Sequence, residues 1–169
     1  GAAWRARQQQ RPGQKLVISV GHFMERKGIL EFIDLARKLP GTGFIWYGCT
    51  SPALVSEPVR AAMAAAPENL TFAGFVSQAE LRDAYCGADA FAFCSHEETE
   101  GIVVLEALAC GVPVLTTLHA ATGREVCLRT GIEDLLAEGI FEQVIFVRER
   151  RVTCVLPAAE VLKQGCCGQ

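Results

Sequence analysis

The chain has 169 residues, of which 50% are hydrophobic and 21% charged, and its formal net charge is −3. This length suits one domain with a core large enough to fold alone, and the composition excludes intrinsic disorder. The charge balance disfavours nucleic-acid binding. Its tight basic cluster, Arg148, Arg150 and Arg151, is typical of a solvated surface.

The eight cysteines include no C-x-x-C pair and lie in or between long periodic segments. A disulfide-stapled secreted scaffold is therefore disfavoured, and buried, reduced cysteines in a cytoplasmic protein are predicted. A zinc site would need His22, His96 or His119 to meet distant cysteines, so no metal site is predicted.

No membrane segment is predicted. Residues 1–15 are polar and have no apolar centre, so no signal peptide is visible in them. The apolar stretch 101–121 contains Glu106, which would cost about 2.5–3.5 kcal/mol in a bilayer. The turn 111–113 also divides that stretch into a helix-length and a strand-length piece.

Residues 1–14 are predicted to be a polar leader or linker, and a start at glycine suggests a piece of a longer protein. Short apolar runs and segments of helical period then alternate. Strands are predicted at Leu16–Val20, Phe44–Tyr47, Leu70–Phe75, Ala90–Cys94 and Val112–Thr116. Helices are predicted at Gly28–Leu39, Glu57–Ala66, Gln78–Cys86 and Gly101–Cys110. Ser77 and Glu80 are predicted to form a capping box at the third helix.

This alternation predicts an α/β fold with a Rossmann-like doubly wound parallel sheet, formed by a domain of residues 15–118. Residues 119–169 are predicted to be an atypical C-terminal segment, because the periodicity weakens there. Its candidate elements are helices at 132–136 and 158–163 and strands at 144–147 and 152–156.

Ligands of doubly wound sheets bind beyond the carboxyl ends of the strands. The segments expected to surround one crevice are Gly21–Lys27, Gly48–Pro52, Phe75–Ser77 and Ser95–Gly101.

The loop after the fourth predicted strand reads Ser95-His96-Glu97-Glu98-Thr99-Glu100-Gly101 and precedes the helix that contains Glu106. A glycine at a helix start lets the main chain approach a ligand, and the first amides of the helix form an anion site. The glutamates would repel phosphate but would accept hydrogen bonds from sugar hydroxyls, so a nucleotide sugar reconciles the two features. Taken alone, the loop also fits a solvated acidic surface.

The loop after the first predicted strand runs from Gly21 to Gly28 and contains Arg26 and Lys27, which would neutralise a diphosphate. By itself this pair also fits ordinary surface charge. Neither G-x-G-x-x-G nor G-x-x-x-x-G-K-[ST] occurs in the sequence, which disfavours dinucleotide binding and P-loop chemistry.

Together the two loops resemble a known family. Gly21 with Lys27-Gly28, then Glu98-x7-Glu106 continued by Ala-Leu-Ala-Cys-Gly-Val-Pro-Val, resembles the C-terminal domain of GT-B-fold retaining glycosyltransferases. That group includes sucrose synthases and bacterial glycolipid and polysaccharide transferases. The resemblance extends over residues 15–117. It implies one half of a GT-B fold that binds UDP-glucose as donor substrate, without a metal or other cofactor.

The resemblance also implies roles for single residues. Lys27 would bind the donor diphosphate, Glu98 would face the donor sugar, and Glu106 would hold the ribose hydroxyls. The implied catalytic residues are Lys27 and Glu98. The implied donor-binding residues are Gly21, His22, Arg26, Phe75, Val76, Gly101, Ile102, Val103 and Glu106.

Two positions depart from the family pattern. The family usually has arginine directly after the first glycine, where this chain has His22, so Arg26 would supply the charge or donor affinity would fall. The family usually reads Glu-Gly-Phe-Gly where this chain has Glu-Thr-Glu-Gly at 98–101. That variant resembles transferases that glucosylate diacylglycerol or related membrane glycolipids.

The implied reaction is metal-independent hexosyl transfer to a lipid or glycan, with retention at the anomeric carbon. An N-terminal GT-B domain, not contained in this sequence, would bind the acceptor and provide any peripheral membrane contact. The isolated chain is therefore expected to be inactive and cytoplasmic, at the inner face of the membrane.

Two alternatives stay open at this point, a stand-alone nucleotide-sugar-binding or scaffold module and a GT-B-fold nucleotide-sugar epimerase. A hydrolase built on Glu98 and Glu106 is disfavoured by distance. Paired hydrolase carboxylates lie about 5–9.5 Å apart, whereas eight helical residues rise about 12 Å.

Overall fold

A computed structural model of the chain describes residues 1–8, 11–96, 101–116, 143–148 and 151–157. The helices are α1 (Ala2–Gln8), α2 (Ile29–Lys38), α3 (Glu57–Ala64), α4 (Gln78–Gly87) and α5 (Ile102–Ala109). The strands are β1 (Leu16–Val20), β2 (Gly43–Tyr47), β3 (Leu70–Gly74), β4 (Ala90–Phe93), β5 (Val114–Thr116), β6 (Gln143–Arg148) and β7 (Arg151–Pro157). Glu98 and the predicted helices at 132–136 and 158–163 lie outside the described residues.

The strands form one seven-stranded sheet in the order β3-β2-β1-β4-β5-β6-β7. Strands β1 to β5 pair in parallel, which confirms the predicted doubly wound parallel sheet. The two strands predicted in the C-terminal segment are also present, and they extend the sheet beyond β5 as an antiparallel hairpin.

Both faces of the sheet are covered, because side chains alternate along each strand. On one face α2 and α3 pack on a core that includes Val17, Phe32, Phe44, Trp46 and Val59. On the other face α1, α4 and α5 pack on a core that includes Trp4, Ile18, Ile45, Tyr85, Phe91 and Val104. At the start of α4 the Ser77 hydroxyl accepts a hydrogen bond from the Glu80 amide at 3.2 Å, as the capping pattern predicts.

The first residues differ from the predicted polar leader. Residues 2–8 form α1, Trp4 is fully buried, and its Nε1 donates a hydrogen bond to the Tyr47 hydroxyl at 2.9 Å. Arg5 forms a salt bridge with Asp89 at 2.8 Å. This part of residues 1–14 is therefore packed on the sheet. Trp4 is the one large apolar side chain in the seven residues of α1, so the sequence there shows no apolar periodicity.

The prediction of buried cysteines holds for Cys94, which is fully buried, but is wrong for Cys49 and Cys86, which are exposed. Cys110 is half-buried, and all four are free thiols. Cys49 lies in a loop and Cys86 lies near the end of a helix. The apolar residues next to them in the sequence do not reveal that these positions are exposed. Within the described ranges, no helix has the length and apolar character needed to cross a bilayer.

Two glycines let the chain segments at the carboxyl edge of the sheet approach closely. Gly28 has φ 75°, and a Cβ there would overlap the Cys94 carbonyl at the end of β4. Gly48 has φ 120°, and a Cβ there would overlap the carbonyl oxygen of Gly21. Any other residue at either position would combine a left-handed backbone with a steric overlap.

We predict that Gly28→Ala destabilises the fold far more than Gly13→Ala. Both glycines have φ 75°, but nothing lies within 4 Å of a Cβ at Gly13. Gly13→Ala should therefore cost about 1–2 kcal/mol from backbone strain alone. Gly28→Ala should cost a further ~1–3 kcal/mol because Cys94 must move. Urea denaturation of both variants measures the difference, and equal losses would contradict the close packing at Gly28.

Candidate functional site

The candidate site lies where the chain changes direction across the sheet. From β1 the chain continues outward to β2 and β3, whereas β4 pairs with the opposite edge of β1. The loops that leave the carboxyl ends of β1 and β4 therefore diverge, and such a switch point is the usual ligand crevice of a doubly wound sheet.

Main-chain contacts join the two loops at this point. The carbonyl oxygen of Arg26 accepts hydrogen bonds from the His96 amide at 2.8 Å and from the Ser95 hydroxyl at 3.2 Å. Arg26 thus links the loops through its backbone, while its side chain is exposed.

A cavity of about 500 Å³ opens above this junction. The segments that form it follow β1, β2 and β3 and begin α5, as the strand-end argument predicts. Its lining residues are Val20, Gly21, His22, Lys27, Gly48, Cys49, Phe75, Gly101, Ile102 and Val103. The structure thus brings together seven of the sequence-predicted site residues.

The start of α5 forms part of the cavity wall. Gly101 precedes the helix with φ 59°, and the segment 101–103 lines the cavity. The first amides of a helix have no intrahelical partner and carry the positive end of its dipole. Lys27 lines the same cavity, so a negatively charged group would meet both a cation and free helix amides there.

His22 is held in one tautomer by its neighbour. Its Nδ1 lies 2.8 Å from the carbonyl oxygen of Cys49. Because a carbonyl only accepts, Nδ1 is the ring nitrogen that donates in this contact. Cys49 lies in the segment Gly48–Pro52 that is expected to surround the crevice, but it is not one of the residues predicted to bind the donor. The position of Cys49 in the loop directly after β2 is the feature of the sequence that indicates its place at the site.

Apolar groups line another part of the cavity. Phe75 is 84% exposed and Ile102 is 57% exposed, which is unusual for side chains of this size. Trp46 lies beneath the first loop and donates from Nε1 to the Gly21 carbonyl at 2.9 Å. The exposed faces of Phe75 and Ile102 are available to pack against a planar or apolar part of a ligand.

Three predicted residues are not among those that line this cavity. Arg26 is exposed, and Val76 packs against the core beneath α4. Glu106 lies instead beside a second cavity of about 400 Å³, together with Arg82, Tyr85 and Cys110. Their proposed roles in binding stay predictions, as does that of Glu98.

A side-chain contact that the sequence does not predict lies next to the loop junction. His96 Nε2 is 2.8 Å from Glu31 Oε1, which joins the end of β4 to the first turn of α2. The other oxygen of Glu31 is buried and has no hydrogen-bond partner within the described structure. No metal-ligating group of three or more side chains is formed by the residues that the structure describes.

Comparison with known proteins identifies the family. The sequence profile of the family described as glycosyl transferases group 1 matches residues 2–129, which is most of the chain. The chain belongs to the glycosyl transferase group 1 family.

This glycosyl transferase group 1 chain is 46% identical over 104 residues to the processive diacylglycerol alpha-glucosyltransferase of Acholeplasma laidlawii, covering 62% of this chain and 31% of that protein. It is 37% identical over 105 residues to the alpha-galactosylglucosyldiacylglycerol synthase of Streptococcus pneumoniae, covering 60% and 28%. The match thus spans less than a third of these relatives.

A solved structure is similar as well. Sucrose-phosphate synthase from Thermosynechococcus elongatus superposes with a TM-score of 0.61 at 26% identity, over 70% of this chain and 31% of that one. Together these similarities confirm the predicted resemblance to the C-terminal domain of a GT-B glycosyltransferase.

In this glycosyl transferase group 1 domain, a hydrogen-bonded pair of side chains lines the second cavity. The Tyr85 hydroxyl donates to Glu106 Oε2 at 3.4 Å. Burial raises the pKa of Tyr85 well above its ordinary value, and the neighbouring Glu106 raises it further. Burial also raises the pKa of Tyr47, partly offset by its hydrogen bond from Trp4. Both hydroxyls are therefore neutral donors or acceptors at any physiological pH.

We predict that neither tyrosine of the native chain ionises near pH 10. Absorbance at 295 nm should stay flat through pH 10 and rise above it, whereas the urea-unfolded chain should titrate at about 10. The pKa of each tyrosine is higher in the folded than in the unfolded chain. The stability that the two tyrosines contribute is therefore present below about pH 10 and is lost as the pH rises further.

The substitution Glu106→Gln tests the cause of the raised pKa of Tyr85. Glu106→Gln removes the negative charge beside Tyr85, so the absorbance rise assigned to that residue in a Tyr47→Phe background should move to lower pH. An unchanged titration curve would show that Glu106 does not face the Tyr85 hydroxyl in solution.

Proposed function

We propose that this domain binds the nucleotide-sugar donor, UDP-glucose, of a retaining glucosyltransferase that acts on a diacylglycerol-type lipid. The observation that carries the proposal is the meeting of Lys27 and the start of α5 in one cavity at the switch point. A diphosphate is the part of the donor that this combination of charge and amides fits.

The remaining parts of the donor are assigned to residues near that anchor. Phe75 offers an exposed ring on which the nucleobase would pack. Glu98, eight residues before Glu106, would accept hydrogen bonds from the glucose hydroxyls. Glu106 would accept them from the ribose, which requires the ribose to extend toward the second cavity.

The catalytic contribution of the domain is electrostatic. Transfer breaks the bond between the anomeric carbon and a diphosphate oxygen, and negative charge grows on the departing diphosphate. Lys27 and the amides of 101–103 would stabilise that charge, as preorganised donors do in other active sites. Because these groups supply the neutralising charge, the proposed reaction needs no metal.

The acceptor and the stereochemistry rest on the relatives. The Acholeplasma laidlawii relative is named an alpha-glucosyltransferase of diacylglycerol. If the glucose is α-linked in the donor and α-linked in the product, the configuration at its anomeric carbon is retained. A lipid acceptor would bring the protein to the membrane surface, and we assign it to the cytoplasmic side, where nucleotide sugars occur.

Acceptor binding is proposed to need a second domain. The cavity opens beyond the carboxyl edge of the sheet, and the described residues around it offer groups for the donor. Orientation of an acceptor hydroxyl at the anomeric carbon contributes about 7–11 kcal/mol to such reactions. A second domain facing the cavity would supply that orientation. The alternative is a donor-binding module that works without transfer.

We predict that the chain binds UDP-glucose in the 500 Å³ cavity and that Lys27→Ala weakens binding about 10-fold or more. The reason is the loss of a charge-assisted contact to the diphosphate. Lys38→Ala is the matched control, since Lys38 lies on α2 and pairs with Asp34 at 3.5 Å. Calorimetry measures affinity, and amide chemical shifts locate the ligand.

Four further binding measurements extend this titration. EDTA should leave the affinity unchanged. ADP-glucose and GDP-glucose test the choice of base. Glu106→Gln should weaken UDP and UDP-glucose equally, and Glu98→Gln should weaken UDP-glucose more. Equal losses in Lys27→Ala and Lys38→Ala, or shifts confined to residues outside the cavity, would refute donor binding at this site.

We also predict that transfer requires the second domain. The chain alone should not incorporate radiolabelled glucose from UDP-glucose into diacylglycerol. A fusion to the N-terminal domain of a diacylglycerol glucosyltransferase should, and Lys27→Ala in the fusion should remove most of that activity. Robust transfer by the chain alone would refute the two-domain requirement. Donor binding without transfer by any fusion would favour the alternative, a donor-binding module that works without transfer.

A further inference from the structure

A buried tyrosine supports the carboxylate of Glu106 at the second cavity. Tyr85 is 2% exposed, and its ring packs edge to face against Phe91 of β4, with the ring centroids 5.5 Å apart. Its hydroxyl reaches Glu106 on the neighbouring helix and donates to Oε2 at 3.4 Å. Packing on the sheet therefore fixes the ring, and the ring places a hydrogen-bond donor beside one oxygen of a side chain that lines the cavity.

This hydroxyl holds Glu106 without neutralising it. Burial and then the neighbouring carboxylate raise the pKa of Tyr85, so the hydroxyl keeps its proton and donates. The cation Arg82 lines the same cavity, yet Tyr85 is the hydrogen-bond partner of the Glu106 side chain among the residues that the structure describes. A carboxylate held by a neutral donor keeps its charge and stays a strong acceptor for other hydroxyls.

The two cavities are lined by neighbouring residues of the same segments. Ile102 lines the first cavity, and Glu106, about one turn further along α5, lines the second. Phe75 lines the first cavity, and Gln78, three residues later at the start of α4, lines the second. A nucleoside whose base packs on Phe75 would thus place its ribose, which is bonded directly to the base, between the start of α4 and the side of α5.

We propose that Tyr85 is a positioning residue for ribose recognition, whose hydroxyl fixes one oxygen of Glu106 so that the other accepts hydrogen bonds from the ribose hydroxyls of a nucleoside diphosphate. The inference rests on the proposed donor binding and goes beyond it, because it assigns a role to a residue that acts through Glu106. Supporting residues of this kind hold a binding group in its productive geometry.

The role predicts a difference between two ligands. UDP has both ribose hydroxyls, and its 2′,3′-dideoxy analogue has neither. Calorimetry should show that the wild-type chain binds UDP about 10-fold more tightly than the analogue. Tyr85→Phe removes the hydroxyl and keeps the ring that packs on Phe91. We expect it to weaken UDP about 5-fold and to leave the affinity for the analogue unchanged.

Tyr47→Phe is the matched control. Tyr47 is the other tyrosine of the chain and is also buried, but its hydroxyl accepts a hydrogen bond from Trp4 Nε1 at 2.9 Å and does not meet Glu106. This variant should unfold at a lower temperature without a change in the ratio of the two affinities. A loss of UDP affinity as large as that in Tyr85→Phe would show a general effect of lost stability and would overturn the proposal.

A double-mutant cycle tests whether Tyr85 acts through Glu106. In a Glu106→Ala background, Tyr85→Phe should no longer change the affinity for UDP, because the carboxylate that the hydroxyl positions is absent. Additive losses from the two substitutions would overturn the assigned route.

A spectroscopic readout keeps the Tyr85 hydroxyl in place. In Tyr47→Phe chain produced with 3-fluorotyrosine, the single fluorine resonance comes from residue 85. UDP should shift this resonance more than the dideoxy analogue does, because a ribose hydroxyl on Glu106 changes the partner of the ring hydroxyl. Equal shifts at saturation by the two ligands would contradict the proposal, and this result does not depend on Tyr85→Phe folding.

Donor binding and the role of Tyr85 fail in different ways. A wild-type chain that binds neither UDP nor UDP-glucose would overturn both. A wild-type chain that binds UDP and its dideoxy analogue equally, or a Tyr85→Phe chain that loses affinity for both alike, would overturn the role of Tyr85 and leave donor binding standing.

Discussion

The carbonyl oxygen of Arg26 holds the loop after β1 against the end of β4, and the rest of the site depends on this junction. It accepts the His96 amide at 2.8 Å, and Gly28 beside it allows α2 to begin in contact with Cys94. Lys27, in the loop that this junction holds, and the start of α5 line the same cavity. The Glu31–His96 pair reinforces the same junction from α2.

The positive and negative groups of the site are kept apart by the fold. The 500 Å³ cavity receives Lys27 and the helix amides, whereas Glu106 lies one turn along α5 beside Tyr85. An anion therefore meets no carboxylate among the described lining residues of the cavity. A ligand that has both phosphates and hydroxyls would extend from the first cavity toward the second, along the side of α5.

The sequence predicts the five parallel strands and the cavity residues at their ends, because buried strands are short apolar runs and the carboxyl edge follows from topology alone. It does not predict what depends on long-range packing. Trp4 is buried by contacts with α4 and Tyr47, which have no local signature. Glu106 lies about one turn beyond Ile102 along α5 and lines a different cavity from Lys27, which its spacing in the sequence does not reveal. Glu31 and His96 lie in different parts of the chain, so the sequence near Glu31 does not indicate that it contacts His96.

The two tryptophans of the chain lie on opposite faces of the sheet, Trp46 in the core under α2 and Trp4 in the core under α1 and α4. Each layer of the domain therefore contains its own optical reporter. Trp46 also hydrogen-bonds the backbone of Gly21, in the wall of the 500 Å³ cavity, so its emission is sensitive to changes in that wall. Fluorescence from single-tryptophan forms can follow the two layers separately, without attaching a dye to any of the cysteines.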